Sequence, residues 1–512
     1  MQILFHLLGK VFADAARIHG LIFLSLTSAV ILSCEDARTQ SLDTLWSRTF
    51  GGTNIDVGHS VEEASDKSLI ITGYTRSFGS LAGRNVWLVK TSREGVLQWM
   101  NTFGGSSDDE GYSVVQTNDG GFAVAGYTSS FGAGGKDVYL VRTDSLGNQL
   151  WSANFGGAQD DEGYSLLQTS DGGFLIAGVS SSFTSGSRDV WLVKTNASGV
   201  IQWSRNHGGL SSDGAWSVEL SADGGFIVAG WTFSYGPGAV GNAWLVKTDS
   251  AGNLQWQKPF GGTSVDRALD VCLAGGGYAL TGYTSSSGSG LDDMLLIRTD
   301  SLGNEIWTRT FGGSGRDYGQ SITRSSDGNG FLIAGYTLSF GSGSEDVWIV
   351  RTDGNGNMLW SRALGGSASD AANSVHLTYD GGAVVAGYTL SYGAGVHDLW
   401  LIRLAPAGTS IGGNGNFGTA DHFELKQNYP NPFNPVTTVS IEIRKTSRIE
   451  LVIYDILGRS VRTLFSGTLQ QGQHTELWNG LNDNGGELPG GIYYCVLKSD
   501  SYSETKAMLL LK

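Results

Sequence analysis

Seven aspartates recur along the chain, each four residues beyond a Gly-Gly pair. They are Asp56, Asp109, Asp161, Asp213, Asp266, Asp317 and Asp370. A pair of carboxyl groups can act as acid and base in glycoside hydrolysis, and a ring of them could hold a cation or a sugar. The alternative is that each aspartate caps backbone N–H groups in its own turn, which its regular recurrence favours. Because the seven carboxyl groups occupy equivalent positions, the sequence does not identify any two of them as a catalytic pair.

The position three residues after each aspartate varies among otherwise similar copies. It is occupied by His59, Tyr112, Tyr164, Trp216, Leu269, Gln320 and Asn373. Residues that differ among equivalent units are where a repetitive scaffold would encode a specific ligand. Tyr112, Tyr164 and Trp216 come from consecutive copies and could form an aromatic platform for a sugar; the alternative is packing between copies. With Asp109, Asp161 and Asp213, they are the candidate ligand-binding residues.

Other chemistry has little support in the sequence. The metalloprotease motif H-E-x-x-H, the hydrolase motif G-x-S-x-G and the phosphate-binding loop are absent. The eight histidines fall at unrelated positions. Asp353, Asn355 and Asn357 resemble the start of a calcium loop, but other copies place T-D-S-L-G-N there, which indicates a hairpin turn. We therefore predict no catalytic residue, no metal site and no cofactor.

The elements that carry these residues are predicted by an internal repeat. Tryptophan recurs every 51–53 residues, at Trp46, Trp99, Trp151, Trp203, Trp256, Trp307 and Trp360. One copy, residues 109–155, holds four short runs rich in Val, Tyr, Phe and Thr, separated by turn sequences such as NDGG and DSLG. Four strands in about 52 residues is typical of a β-propeller blade. Glycine, at 77 of 512 residues, fits many tight turns.

The ends of the repeat predict how the ring closes. The first copy begins with the Trp46 strand, and the last ends at Leu399–Ile402 with no tryptophan strand after it. Closure of the last blade by the first strand would leave no open edge. We therefore predict an all-β chain with a seven-bladed β-propeller at residues 43–404, its four-stranded blades closed by the N-terminal strand. Its seven aspartates would then circle one mouth of the channel.

The turn sequence before the repeated tryptophans resembles a known motif. T-D-x-x-G-N-x-x-W, as in Thr143-Asp144, Gly147-Asn148 and Trp151, resembles the tryptophan-docking motif of quinoprotein propellers, with one residue fewer between Asp and Gly. The resemblance implies that each tryptophan packs between blades. It implies no quinone, because no vicinal cysteine pair accompanies it.

The N-terminus has the pattern of an export signal. Residues 21–32 are an uncharged apolar run preceded by Lys10 and Arg17, a length suited to a signal peptide. Ile31-Leu32-Ser33-Cys34 resembles a bacterial lipobox, so the interpretations are lipidation of Cys34 or ordinary cleavage near Ser33. We predict a signal peptide over residues 1–34 and no transmembrane span in the mature chain, since no later apolar run has the length of about 18 residues.

The C-terminal region carries a more specific resemblance. After a small, polar linker at residues 405–423 come NYPNPFNP (428–435), YDILGR (454–459) and GIY (491–493). These resemble the C-terminal sorting domain of type IX secretion cargo, an immunoglobulin-like β-sandwich also found in flagellar hook-capping proteins. The resemblance implies that residues 424–512 address the chain to the secretion translocon. A lipobox cysteine is unusual in such cargo.

The charge distribution excludes some classes of binding partner. The net charge is −15; since residues 1–34 carry +1 and residues 424–512 balance, the middle of the chain carries −16. That argues against nucleic acid or an anionic membrane as partner. We therefore expect a secreted or cell-surface propeller that binds a protein or glycan without catalysis. The alternative is a secreted polysaccharide hydrolase that uses carboxyl groups at the channel mouth.

Overall fold

In the computed structural model the described residues form two compact units, divided between residues 408 and 409. Within them, the described residues are 44–406, apart from 81, 82, 185 and 239, and 423–511, apart from 427, 429, 444, 445, 456–458, 484 and 500–502. The predicted signal peptide at 1–34, with Cys34, lies outside the described residues, as does linker segment 407–422.

The first unit consists of seven antiparallel four-stranded sheets. Blade 1 comprises β2 (Asp56–Glu63), β3 (Leu69–Thr75), β4 (Asn85–Thr91) and β5 (Leu97–Phe103). Blade 2 comprises β6 (Asp109–Gln116), β7 (Phe122–Thr128), β8 (Asp137–Thr143) and β9 (Gln149–Phe155). Blade 3 comprises β10 (Asp161–Gln168), β11 (Phe174–Ser180), β12 (Asp189–Thr195) and β13 (Ile201–His207). Blade 4 comprises β14 (Asp213–Leu220), β15 (Phe226–Thr232), β16 (Asn242–Thr248) and β17 (Leu254–Phe260).

The remaining blades repeat this order. Blade 5 comprises β18 (Asp266–Ala274), β19 (Gly277–Thr284), β20 (Asp293–Asp300) and β21 (Glu305–Phe311). Blade 6 comprises β22 (Asp317–Arg324), β23 (Phe331–Thr337), β24 (Asp346–Thr352) and β25 (Met358–Leu364). Blade 7 comprises β26 (Asp370–Leu377), β27 (Ala383–Thr389), β28 (Asp398–Leu404) and, from the start of the chain, β1 (Thr44–Phe50).

The ring is closed by its first strand. β1 pairs antiparallel with β28, so that Trp46 lies opposite Arg403 and Phe50 opposite Leu399. The predicted seven blades and their closure by the N-terminal strand are therefore confirmed. The pairing covers the edge of β28 that would otherwise expose unpaired N–H and C=O groups.

Burial on both faces of the blades holds the ring together. The two middle strands of each blade are apolar at successive positions, and β8 and β16 are buried along their whole length. One side of each sheet packs on the preceding blade and the other on the following blade; for example, Leu140 packs with Ile176 in one cluster and Tyr139 with Val86 in another. The blade interfaces are the core of this unit.

The outer tryptophans join neighbouring blades, as the docking motif implies. A Cβ atom at Gly147, in the last turn of blade 2, would lie 2.6 Å from the ring of Trp99 of blade 1. Gly147 also has a φ of +80°, which favours glycine. Trp99 further contacts Phe122 of blade 2, with 5.9 Å between ring centroids.

The second unit is a two-sheet β-sandwich. One sheet pairs β29 (Phe423–Leu425), β30 (Thr437–Ile443) and β33 (Gly472–Trp478). The other pairs β32 (Ser460–Leu469), β31 (Ser447–Tyr454), β34 (Gly491–Ser499) and β35 (Ser503–Leu510). Its core packs Ile441, Leu451, Trp478 and Leu497, and Cys495 is buried among them. Within the described part of the chain, no helix has the length and apolar character that crossing a bilayer requires.

Candidate functional site

A β-bulge in the first strand of every blade positions the variable residue. In blade 2, Gly111 pairs with Gly126 and Ser113 with Ala125, so Tyr112 has no opposite partner. The same register shift recurs in the other six blades. A bulge adds one residue to a strand and redirects its side chain. Here the extra residue is the position that varies among the copies.

The seven bulge residues line one central cavity. Its volume is about 730 Å³, within the range of about 300–1,000 Å³ for small-molecule sites. The bulge residues on its wall are His59, Tyr112, Tyr164, Trp216, Leu269, Gln320 and Asn373. Further side chains on the wall include Arg188, Trp231, Arg267, Asp270, Tyr283, Tyr318 and Tyr336. The position that varies among otherwise similar neighbours thus faces this cavity in all seven blades.

The three predicted aromatic residues belong to a continuous row of rings, the aromatic arc, which consists of His59, Tyr112, Tyr164, Trp216 and Trp231. Successive ring centroids along this row are 4.8, 5.0, 4.3 and 5.3 Å apart. The rings therefore pack against one another across blades 1–4 and also line the cavity. Packing between blades and a ligand platform are both compatible with this geometry.

Buried carboxylates behind the arc, which pair with partly exposed cations, hold its tyrosines in place. The hydroxyl groups of Tyr112 and Tyr127 donate to Glu110 at 2.9 and 2.8 Å, and Arg84 forms an ion pair with the same carboxylate. Burial would raise the pKa of Glu110, but its contacts with His59 and Arg84 lower it to about 2. Glu110 is therefore an ionised acceptor that holds the Tyr112 ring in place.

Tyr164 is held in an equivalent way. Its hydroxyl group donates to Glu162 at 2.9 Å. Lys136 lies 3.3 Å from the same carboxylate, which also pairs with Arg188. The polar ends of both tyrosines are thus satisfied within the protein. Both tyrosines line the cavity, and Tyr164 is buried against Tyr112 and Trp216.

The sequence-predicted aspartates lie elsewhere and are not available to a ligand. Asp109, Asp161 and Asp213 are fully buried. Asp109 accepts hydrogen bonds from Gly105 N at 2.8 Å, Ser130 Oγ at 2.7 Å and Thr128 Oγ1. Gly157 N and Gly209 N donate in the same way to Asp161 and Asp213. Their inclusion as ligand-binding residues is corrected: they tie the turn before each inner strand to the end of the second strand.

The residue after each bulge forms a ring of hydrogen bonds between blades. In five blades it is a serine whose hydroxyl group accepts an N–H from the next blade: Ser60, Ser113, Ser165, Ser321 and Ser374. In blade 5 the residue is Asp270. It accepts from Ser217 Oγ at 2.7 Å, Ser321 Oγ at 3.0 Å and Ile322 N at 2.9 Å, and so links blades 4, 5 and 6.

Asp270 was not among the predicted site residues. Burial raises its pKa, although its hydrogen bonds lower it in part. The sequence contains a signal for it, because aspartate replaces serine at this one copy of the position. That exception stands out only once the position is known to face the cavity.

The possible calcium loop is a hairpin turn. The N–H groups of Asn355 and Asn357 donate to Asp353 Oδ1 at 2.9 and 2.8 Å, and Asn357 Nδ2 donates to Asp353 Oδ2 at 2.8 Å. Among all residues that the structure describes, no group of three or more His, Cys, Asp or Glu side chains is placed to hold a metal ion.

The fold defines a protein with a closed seven-bladed propeller and a C-terminal immunoglobulin-like domain. Residues 431–503 match the FlgD Ig-like domain family, so the chain contains a domain of that family. The propeller lies outside this match.

A curated relative and two solved structures are also similar. The regulatory protein FlaEY of Caulobacter vibrioides is 25% identical over 368 residues, which are 62% of this chain and 38% of FlaEY. The chain thus spans well under half the length of that relative. PorZ, a surface component of the type IX secretion system of Porphyromonas gingivalis, has a TM-score of 0.39 at 12% identity, covering 90% of this chain and 60% of PorZ. A fungal alcohol oxidase of the AA5 family has a TM-score of 0.42 at 11% identity, covering 92% and 100%.

Proposed function

We propose that the protein is an exported propeller that binds a glycan in its central cavity without catalysing a reaction. The observation that carries this proposal is the aromatic arc, a continuous row of rings on the cavity wall that includes the bulge residues of four consecutive blades. Aromatic rings bury large apolar areas and retain polar edges. That combination suits a sugar, whose C–H faces are apolar and whose rim carries hydroxyl groups.

The opposite wall supports the same ligand class. Gln320 and Asn373 lie on the cavity wall with Tyr283 and Tyr318. Amide and hydroxyl groups both donate and accept hydrogen bonds, as sugar hydroxyl groups require. A protein ligand remains the alternative, and it would need a protruding loop that enters the cavity.

Binding without turnover is favoured over hydrolysis. The seven repeated aspartates are fully buried, and each accepts hydrogen bonds from its own turn or from the end of the second strand. A general acid must reach the scissile oxygen directly or through one water. These seven carboxyl groups are therefore poor candidates for an acid–base pair.

The C-terminal domain supports export to the cell surface. Residues 431–503 match the FlgD Ig-like domain family, and the motifs in this region resemble type IX sorting domains. We propose that residues 424–512 engage the secretion translocon and that the signal-like segment 1–34 directs the first export step. Lipidation of Cys34 remains one form of this proposal.

The glycan proposal is tested by Trp216→Ala. Trp216 contacts Tyr164 and Trp231 within the arc, and truncating an aromatic anchor commonly costs about 2 kcal/mol of binding free energy, roughly thirtyfold in Kd. The measurement is calorimetric titration of the purified protein with an oligosaccharide panel, together with assay of released reducing ends.

Trp151→Ala is the matched control. Trp151 packs on Phe174 from an outer strand, away from the cavity, so its loss is expected to lower the melting temperature and leave the Kd unchanged. If Trp216→Ala also lowered only the melting temperature, the arc would be blade packing and the proposal would be rejected. Release of reducing ends by the wild-type protein would favour the hydrolase.

A further inference from the structure

Arg267 places a positive charge on the wall of the cavity. It is the second residue of β18 in blade 5, and it is half-buried. Its guanidinium carbon lies 4.8 Å from the ring centroid of Phe233 and 5.9 Å from that of Trp231. The stack on two aromatic rings holds the guanidinium at one end of the aromatic arc.

Among the described residues, Arg188, the other arginine on the cavity wall, has a carboxylate partner, but Arg267 has none. Arg84 pairs with Glu110, and Lys136 and Arg188 both pair with Glu162. Arg316 lies 3.3 Å from Asp292. Arg267 donates only to the backbone oxygen of Asp266, at 3.3 Å.

An unpaired cation in this position has an energetic cost. Burial lowers the pKa of Arg267, which reflects the loss of water around the charge. The guanidinium nonetheless stays protonated, since an arginine side chain does not lose its proton in proteins. A negative group supplied by a ligand would recover that cost. The planar fork of N–H donors matches a carboxylate, which it can bind with two parallel hydrogen bonds.

We infer that Arg267 binds the carboxylate of an acidic sugar residue, of the uronic acid class, while the aromatic arc packs against the sugar rings beside it. This inference rests on the proposed glycan-binding function and specifies its ligand. Trp231 takes part in both contacts, because its ring lies next to Trp216 as well as Arg267.

The charge of the chain limits the ligand further. Residues 35–423 carry −16, so a polyanion would be repelled outside the cavity. The ligand is therefore a largely neutral glycan with one acidic residue. Added salt should weaken its binding only slightly, because a partly buried pair is screened little.

The test uses pairs of oligosaccharides. Each pair consists of an oligosaccharide that ends in glucuronic acid and its carboxyl-reduced counterpart, which ends in glucose. We expect the wild-type protein to bind the acidic member of at least one pair about tenfold or more tightly, as for a hydrogen bond to a charged group. Titration of the full chain gives both Kd values from one preparation.

Two substitutions locate the preference. Arg267→Gln should bring the two Kd values of a pair together, and Arg267→Lys should keep part of the difference. Arg205→Gln is the matched control: Arg205 stacks on Trp203 at 5.6 Å but lies partly exposed on an outer strand, away from the cavity, so its loss should leave both Kd values unchanged. Melting temperatures of all variants show whether the fold is retained.

The outcomes separate this inference from the proposed function. If the wild-type protein bound both members of every pair equally, the role of Arg267 would be refuted and glycan binding would stand. A folded Arg267→Gln variant that kept the full preference would refute the role of Arg267 as well. If neither member of any pair bound, the proposed function and the inference would both fail. The comparison on the wild-type protein holds even if the variants do not fold.

Discussion

Glu219 and Asp270 are carboxyl groups on the inner strands of neighbouring blades, β14 and β18. Burial, followed by the charge of Asp270, raises the pKa of Glu219 from 4.5 to about 7. Burial also raises the pKa of Glu62, on the inner strand of blade 1, to about 7. A carboxyl group with a raised pKa binds its proton more tightly in the folded state than in the unfolded state, so protonation stabilises the fold. That stability is fully present below pH 4.5 and is lost as the pH rises through about 7.

Glu219→Gln should therefore stabilise the protein only at higher pH. A shift from 4.5 to about 7 corresponds to on the order of 3 kcal/mol between the two protonation states. Chemical denaturation should give the variant a higher free energy of unfolding than the wild type at about pH 8, and nearly the same value near pH 4.5.

The matched control for this prediction is Glu305→Gln, at an exposed position of an outer strand, which should change the free energy of unfolding little at either pH. An equal gain for Glu219→Gln at both pH values would show that the effect comes from packing. Since Glu62 is shifted in the same direction, Glu62→Gln should reproduce the pH dependence in a second blade.

At the residue scale, the sequence predicted part of the cavity wall. The seven bulge positions were found from their variation against constant neighbours, and all seven line the cavity. Arg267 could not be found in this way, because its role depends on which carboxylates lie within reach after folding. The aspartates were over-interpreted as ligands: regular spacing shows that a residue matters to the unit, but hydrogen bonding decides whether its side chain is free.

Among the elements, β1 has the largest expected effect on the ring. Deletion of residues 35–50 removes β1 and exposes the edge of β28. The buried Leu399 and Leu401 of β28 then lose their partners in β1. We expect a markedly lower melting temperature for the whole propeller, because a three-stranded blade 7 leaves one blade interface incomplete. Differential scanning calorimetry measures this melting temperature.

A shorter deletion provides the control. Removal of residues 35–42 stops short of β1 (Thr44–Phe50) and should leave the melting temperature unchanged. If the longer deletion melted at the same temperature as the full chain, closure by β1 would contribute nothing to the stability of the ring.

The elements themselves were predictable to a large extent. Turn residues and four runs per period predicted the four strands of each blade, and the unmatched ends of the repeat predicted the closure. The bulge was not predicted. A bulge shifts the pairing by one residue, and in a strand such as Asp109–Gln116 the composition is the same with or without that shift. Only the partner strand shows which residue is left out.

At the scale of the whole molecule, the two units carry separate tasks in the proposed function. The ligand site lies within the propeller, whereas the FlgD Ig-like match covers residues 431–503. Removal of residues 425–512 should therefore retain the protein in the periplasm, because the proposed address is lost. Cell fractionation and surface labelling measure this. Glycan binding by the truncated protein should be unchanged if its circular dichroism spectrum is that of a folded propeller.

The proposal that residues 424–512 direct secretion has a second testable consequence. Fusion of residues 424–512 to an unrelated periplasmic protein should bring that protein to the cell surface. Surface display of the truncated chain at the wild-type level would contradict the assignment, and so would failure of the fusion to move while the native chain is displayed.

The bulge in each blade also makes the propeller suitable as a scaffold for protein engineering. Tyr112 and its counterparts lie outside the hydrogen-bonded register of their blades, so exchanging them leaves the strand pairing intact. A combinatorial library over the seven bulge positions would vary the inner surface of the cavity while the serine hydrogen bonds and buried aspartates stay constant. One substitution per blade is then the unit of change, and new ligand preferences can be selected without redesigning the fold.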